Sequence, residues 1–527
     1  MSAGFERLSA SLAGPLDGDA AAAAQQRRGL ARAAVVPLLM VAAALALRAL
    51  SFVPTVIDTD EGLYILQARE WLRGGGWPLV AVWDMHPVGA PAFFALAFAI
   101  FGESIGTVRL LGALCIGMAG WGLYGAARAG GASRTVGLGA GLIYIAHTVL
   151  FGGLASNTEI LFAPLVVAAV ALGVRGATRA LAAGGAPRWR DLALMGLLAG
   201  TALTIKPVAA PSGSLAFLLL TVPAWWRGVL PLGHALAMAA AYAALCATPT
   251  ALFALAYAAH GHFAEFLDGA FLAPLRYAGG RRSFGDAAWE VVMAVLTLAP
   301  AFALGALAFA RRRTAPAEER RLIAIGLVWF AASTVAVVGP GMFHHHYFLI
   351  WLPALSLLAA LGARRLAELV GTRRAGLVFA LVVGMVAVDA WQADAVPRLR
   401  EGIGLRFADP PLEVARALAA TVPPGASVLV ANYHPVVYAL ARVRPATRYA
   451  FPALLTGSYG AVAGIDMDAE VARVLAARPA AIVVDRGWWH AMRPQVAAMV
   501  TAALREDYAL ATTVEEERGP VEIWWRR

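Results

Sequence analysis

The chain has 527 residues, of which 60% are hydrophobic and only 14% charged, and its mean hydropathy is +0.68. An ordinary soluble globular protein is thereby excluded, because many apolar runs approach the roughly 20 residues that a bilayer-spanning helix needs. The formal charge of +10 does not point to nucleic acid, since the basic residues sit in short clusters between apolar runs and not along one amphipathic face.

Residues 1–30 are Ala-rich, polar and broken by Gly and Pro, and read as a disordered cytoplasmic N-terminus followed by a retained first helix. Candidate spans fall near 31–51, 106–127, 135–152, 158–174, 191–206, 209–226, 229–258, 290–310, 322–339, 347–362 and 375–391. The expected fold class is a polytopic α-helical membrane protein of about eleven transmembrane helices, with a small soluble α/β domain at its C-terminus. Cys115 and Cys246 both lie inside apolar runs, so they read as small buried hydrophobes rather than a disulfide or zinc framework.

With the N-terminus cytoplasmic, alternate loops carry Arg27, Arg28 and Arg32, then Arg128 and Arg134, then Arg175, Arg179, Arg188 and Arg190. Later loops on that side carry Arg227, Arg311 to Arg313, Arg320, Arg321, Arg364, Arg365, Arg373 and Arg374. This is the positive-inside pattern. It assigns 52–105, the turns near 153–158 and Lys206, 259–289, 339–346 and the tail to the opposite side. The segment 88–101 is apolar but short for a span, and reads as an interfacial or re-entrant helix. After 391 the composition changes: Ser427 to Ala431 and Ala480 to Asp485 are β-like runs among helical patterns, so 392–527 reads as the α/β domain.

The residues suited to chemistry collect on the non-cytoplasmic side. Asp58, Asp60 and Glu61 open an amphipathic stretch containing Tyr64 and Trp71, where a carboxylate could deprotonate a hydroxyl presented at the interface. A solvated acidic loop is the alternative. Asp84 and His86 stand two residues apart in an extended segment and suit metal ligation or phosphate contact. Glu159, after Asn157 and Thr158, faces a polar cavity or stays in a helix cap. Lys206 is the only lysine in the chain, and its compact charge suits phosphate. His344, His345 and His346 precede Tyr347, and phosphate or headgroup contact fits one or two of them better than a three-histidine metal site. Asp58, Asp60 and Asp84 are candidate ligands for Mg²⁺ or Mn²⁺, with metal dependence left open. Arg276, Arg281 and Arg282 depart from the inside bias, which either anionic headgroups or simple solvation explains. Arg48 either snorkels outward or pairs with the acidic cluster.

Asp60-Glu61 with Tyr64, Asp84-Met85-His86-Pro87, Arg109, Glu159, Lys206-Pro207 and His346-Tyr347-Phe348 before Leu352-Pro353 together resemble bacterial glycosyltransferase family 39. That family shares the GT-C architecture with protein O-mannosyltransferases and the lipid A aminoarabinose transferase. The resemblance covers roughly 31–365, with 31–391 as the GT-C-like catalytic domain. It implies a polyprenyl-phosphate sugar donor, a hydroxyl acceptor (lipid, glycan or protein) and a hexosyl or pentosyl transfer on the periplasmic face of a bacterial inner membrane. By the same analogy Asp60 or Glu61 is the base, and Asp84 and His86 line the site. Many relatives carry Lys-Pro-Pro where this chain has His86-Pro87-Val88. A transporter or flippase of lipid-linked sugars is the competing expectation, disfavoured because the suspicious residues gather at one face and no internal repeat is evident.

Overall fold

The computed structural model describes residues 34–401 and 409–527, so the expected disordered segment 1–30 lies outside the described residues. A helix stands at each expected span, from Ala34–Leu47 to Thr372–Glu401. Among the described residues six helices are long and apolar enough to cross a membrane: Ile105–Ala129, Thr158–Ala183, Pro207–Trp226, Leu232–Ala259, Ala317–Val338 and His345–Val370. A seventh is Phe284–Thr297 with Ala299–Ala310, if that pair, bent by 75°, counts as one span. The expected count of about eleven therefore also leans on shorter elements such as Arg134–His147 and Trp189–Ile205, of 14 and 17 residues, which fall short of the roughly 20 that span unaided.

Local chemistry sets the helix ends. Asp58, Ser104, Ser133 and Asn157 each occupy an N-cap and accept a backbone N–H from the first turn, satisfying a donor that the helix leaves unpaired. Within the bundle, the helix from His345 to Val370 is central, with 89% of its most apolar stretch buried, whereas Leu232–Ala259 lies at the rim with 6% buried. Leu236, Leu252 and Leu255 on that rim helix are each more than 60% exposed. Such an apolar outer wall is what a lipid-facing helix requires. Away from the acidic loop, Arg175 and Arg179 meet Asp191 at 2.6 and 3.4 Å, and Arg364 and Arg365 share Glu319.

The segment 52–105 folds into two helices, Thr59–Leu72 and Gly89–Phe101. The second has 13 residues, consistent with the expectation that it is too short to span. Gly89 allows its first turn to press on the end of Trp189–Ile205, because a Cβ there would sit 2.5 Å from the Thr204 backbone. This close approach carries His86 and Pro87 toward Lys206.

The C-terminal domain holds a five-stranded sheet of order β2-β1-β3-β5-β4. Its strands are β1 Ser427–Val430, β2 Arg444–Pro445, β3 Ala481–Asp485, β4 Tyr508–Val514 and β5 Val521–Arg526. β1 pairs in parallel with β2 and β3, while β3–β5 and β5–β4 are antiparallel. The two expected β-runs are β1 and β3. β4 and β5 were not expected, since Tyr508 to Val514 at the sheet edge lacks a continuous apolar face. The expected start of the domain at 392 also shifts, because Thr372–Glu401 is one helix and the packed domain begins with Pro410–Thr421.

The domain docks on the acidic loop rather than hanging beside it. Gly62 lies against Val436, with room of only 3.0 Å for a Cβ. Thr55 donates through N and Oγ1 to Asp409 Oδ2 at 3.1 and 2.6 Å, and Trp83 N donates to the Arg448 carbonyl at 2.8 Å. Arg69 donates to the Ala439 carbonyl, and Arg276 Nε to that of Val462 at 2.7 Å.

Candidate active site

The two neighbouring acids at the start of the Thr59–Leu72 helix meet opposite environments. Glu61 points into the bundle, buried to 2% exposure, where its Oε1 accepts from Arg109 and from Ser156 N, the latter at 2.7 Å. Arg109 is itself fully buried and donates through Nε to the Ser51 carbonyl at 2.9 Å. A buried carboxylate is tolerable only when paired and hydrogen-bonded in this way. Asp60 is partly exposed, and no ion pair holds it among the described residues. Its N–H donates to Asp58 Oδ1 at 3.0 Å, the N-cap bond that fixes the two acids side by side. Desolvation, then the Asp58 charge, push the Asp60 carboxyl up to about 7, against the opposing pull of His86 and Lys206. Asp58 is likewise raised, by desolvation first and against its bond from Asp60 N.

His86 closes this side of the site. Its Nδ1 lies 3.1 Å from both oxygens of the buried Asp84, and its ring meets Tyr64 edge-on at 5.9 Å. Burial opposes protonation of His86, but the charge and hydrogen bond of Asp84, with Asp60 beyond, outweigh it and hold the imidazole above its ordinary range. Asp84 thus orients the imidazole and favours its protonated form.

Across the site, Lys206 Nζ donates to Glu159 Oε1 at 2.6 Å and stands 4.3 Å from the centroid of the Tyr347 ring. Thr158 Oγ1 donates to the other oxygen of Glu159 at 2.9 Å, while Asn157 Oδ1 caps the helix through Ile160 N at 3.3 Å. The capping expectation for this segment holds, and Glu159 itself is buried against Lys206 and Thr158. Of the three histidines, His344 stacks on His346 at 5.6 Å and shares a 2.5 Å hydrogen bond with Tyr277 Oη. Burial, reinforced by Arg282 and Lys206, brings the His344 imidazole down to about 4, so it offers hydrogen bonds and no charge. His346 Nδ1 is buried with no hydrogen-bond partner, whereas His345 is exposed at the rim.

Several expectations change on contact with the geometry. Arg48 neither snorkels nor pairs with an acid: it turns inward and donates to the carbonyls of Gly153, Leu154 and Ala155, the last two at 2.6 and 3.2 Å. Arg276 is tied to Asp268 and Arg282 to Glu290, each at 2.7 Å, while Arg281 is exposed. The candidate metal ligands do not converge. Asp84 spends both oxygens on His86 and Asp58 caps a helix, and no group of three or more His, Cys, Asp or Glu among the described residues is arranged to hold a metal. Sequence reasoning did not assign Ser156, whose N–H seats Glu61, or Tyr277, which anchors His344. Neither has a local signal, because Ser156 acts from a turn and Tyr277 from the short helix Ala273–Ala278, each remote in the chain from its partner.

An apolar groove enclosing about 1410 Å³ opens beside these groups. Pro87 and Val88, next to His86, form one lip, and Thr204 and Pro207, flanking Lys206, form another. Its far wall is made by residues such as Phe253, Phe263 and Phe271. The groove is walled in part by the rim helix Leu232–Ala259 and reaches the chain neighbours of His86 and Lys206.

Residues 85–253 match the family model described as dolichyl-phosphate-mannose-protein mannosyltransferase, a stretch that includes His86, Glu159 and Lys206. The fold is similar to that of ArnT from Cupriavidus metallidurans, solved bound to undecaprenyl phosphate, with a TM-score of 0.61 and 16% identity over 92% of this chain and 97% of that one. It is also similar to the Archaeoglobus fulgidus oligosaccharyltransferase solved with zinc and sulfate, with a TM-score of 0.52 and 13% identity over 92% of this chain and 72% of that one. Comparison with curated proteins gives no match.

Proposed function

We propose that this chain is a membrane glycosyltransferase that moves a hexosyl or pentosyl unit from a polyprenyl-phosphate donor to a hydroxyl acceptor. The observation that carries the reading is the apolar groove whose lining includes Pro87 and Pro207, the chain neighbours of His86 and Lys206, since an isoprenoid phosphate needs an apolar channel with a cation near its end. Support comes from the fold shared with ArnT, which was solved with undecaprenyl phosphate. The same reading places the reaction on the periplasmic face of a bacterial inner membrane, with about eleven spans and the C-terminal domain outside.

The lipid lies in the groove with its phosphate against Lys206 and the protonated His86, and the sugar rises toward Asp60. Asp60, ionised above its raised range, takes the proton of the acceptor hydroxyl as that oxygen bonds to C1. The bond from C1 to the phosphate oxygen breaks, and its electron pair leaves with the lipid phosphate. Lys206 and His86 stabilise the charge developing there, the point at which a fixed cation lowers the barrier most. Asp58 holds Asp60 in place through the helix cap. Glu61, engaged by Arg109, positions the helix and is not needed as a second base. Tyr64, Glu159, His345, His346 and Tyr347 line the donor side of the site.

The test is release of labelled lipid phosphate from a polyprenyl-phosphate sugar by purified full-length protein. Turnover by the wild type and a rate about 10²-fold lower in Lys206→Met would support the reading. Equal turnover by the two would remove its basis.

A further inference from the structure

A second opening, a cleft of about 890 Å³, lies between the C-terminal domain and the acidic loop and is not used in the mechanism above. Its position in the sheet is informative. β1 leads to β2 on one flank and neighbours β3 on the other, beyond which lie β5 and β4, so the chain changes direction across the β1–β3 boundary. Open α/β sheets bind ligands in the crevice outside the carboxyl ends of their strands at such a switch point. The cleft is lined there, by Asn432 to His434 after β1 and by Asp485 and Trp488 at the end of β3.

The crevice is braced open. Asn432 Nδ2 donates to the Asp485 carbonyl and Asn432 Oδ1 accepts from Asp485 N, both at 2.8 Å, latching the two strand ends together. Asp485 Oδ1 accepts from Trp488 N at 3.1 Å, which holds a carboxylate of 2% exposure at the base of the cleft. Trp488, 41% exposed, is steadied by the Arg518 guanidinium at 4.7 Å and by His490 at 5.6 Å.

The lining chemistry selects the ligand class. It contains one carboxylate and no Lys or Arg, so a phosphate or nucleotide would meet repulsion without compensation. No glycine-rich turn follows β1, where the chain reads Ala431-Asn432-Tyr433-His434-Pro435. Aromatic side chains alternate with hydroxyl and carboxylate groups, including Thr456 and Ser458, which suits a neutral ring with an apolar face and a hydroxyl edge. Thr59 forms the wall toward the bundle and meets His434 Nδ1 at 3.4 Å. Its neighbours in the chain are Asp58 and Asp60.

We propose that this cleft is a carbohydrate-binding subsite that seats an acceptor glycan, with Asp485 and Ser458 receiving its hydroxyls, Trp488 its ring, and Thr59 marking the passage to Asp60. The subsite names the acceptor class of the transferase and rests on that reading. Binding is measured on the full-length protein in lipid nanodiscs by saturation-transfer difference, using neutral methyl gluco-, galacto-, manno- and arabinosides, with glucose 6-phosphate as the charged control. At least one neutral glycoside gives a signal stronger than the control, and Ser458→Trp and Ala491→Trp, which fill the cleft from its rim, each reduce it by about tenfold or more. No signal from any neutral glycoside, or a signal unchanged in both filled variants, overturns the subsite. Retention of undecaprenyl phosphate by the same preparations separates the two claims. Wild-type protein that binds the glycosides but not the lipid phosphate sinks the transferase reading and leaves the cleft standing, whereas filled variants keep the lipid phosphate if both are right.

Discussion

Asp60 and Glu61 are adjacent carboxylates with opposite fates, and the contrast extends to the two sides of the site. On the bundle side the two buried carboxylates are matched: Glu61 with Arg109, and Glu159 with Lys206. On the side facing the C-terminal domain, Asp58 and Asp60 crowd together without a cation bonded to either among the described residues. A matched pair inside a low-dielectric bundle fixes geometry, because breaking it strands a charge. Burial first, and then the Asp58 charge, raise the proton affinity of Asp60 instead, and that is the property of a base working near neutral pH.

The largest way to break the contrast is to neutralise the unmatched acid. Asp60→Asn is expected to lower turnover by about 10³-fold or more, within the range of a lost general base, with lipid binding unchanged and thermal stability at neutral pH equal to or above that of the wild type. Arg109→Met should do the reverse, destabilising the protein by about 3–5 kcal/mol through the stranded Glu61, read as a loss of detergent-solubilised folded protein on heating. Lys206→Met should cost about 10²-fold in the rate of lipid phosphate release, and Lys206→Arg should restore little of it, because the guanidinium fork does not reproduce a point charge over Tyr347.

The pH dependence sharpens the same comparison. Asp60 serves as a base only when ionised, so kcat/KM should rise as pH passes through about 7 and level off above it. Asp58→Asn removes a charge that raises Asp60 and should move that midpoint to lower pH. For stability the sign is opposite. The folded protein holds this proton more tightly than the unfolded chain does, so the Asp60 contribution is lost as pH rises from 3.8 through about 7. The smallest effect expected is from chelation: exhaustive treatment with EDTA should change turnover by no more than about twofold, because no metal-holding cluster is formed by the described residues.

The helices and the one-sided gathering of chemistry were legible because apolar length and Arg-rich loops act locally along the chain. Asp60, His86 and Lys206 could be singled out by type, since lone polar groups beside apolar runs are costly. Their partners could not. Arg109 to Glu61 and Glu159 to Lys206 join residues 48 and 47 positions apart, and the roles of Arg48 and Ser156 depend on a turn brought in from elsewhere. The cleft at Asn432 and Asp485 escaped notice although both lie at the ends of the two strands that were expected. Residues just past parallel strands are the signal that could have found it. β4 and β5 were missed because they are stabilised by pairing with their neighbours rather than by a strong apolar pattern of their own.

The central claim is that Asp60, and not its buried neighbour, carries the proton transfer. Single-turnover measurement of lipid phosphate release from a labelled polyprenyl-phosphate sugar, with wild type, Asp60→Asn and Glu61→Gln compared as folded protein at pH 8, addresses it directly. The account predicts rapid release by the wild type, none by Asp60→Asn, and substantial release by whatever Glu61→Gln protein folds. Wild-type release by Asp60→Asn would contradict it.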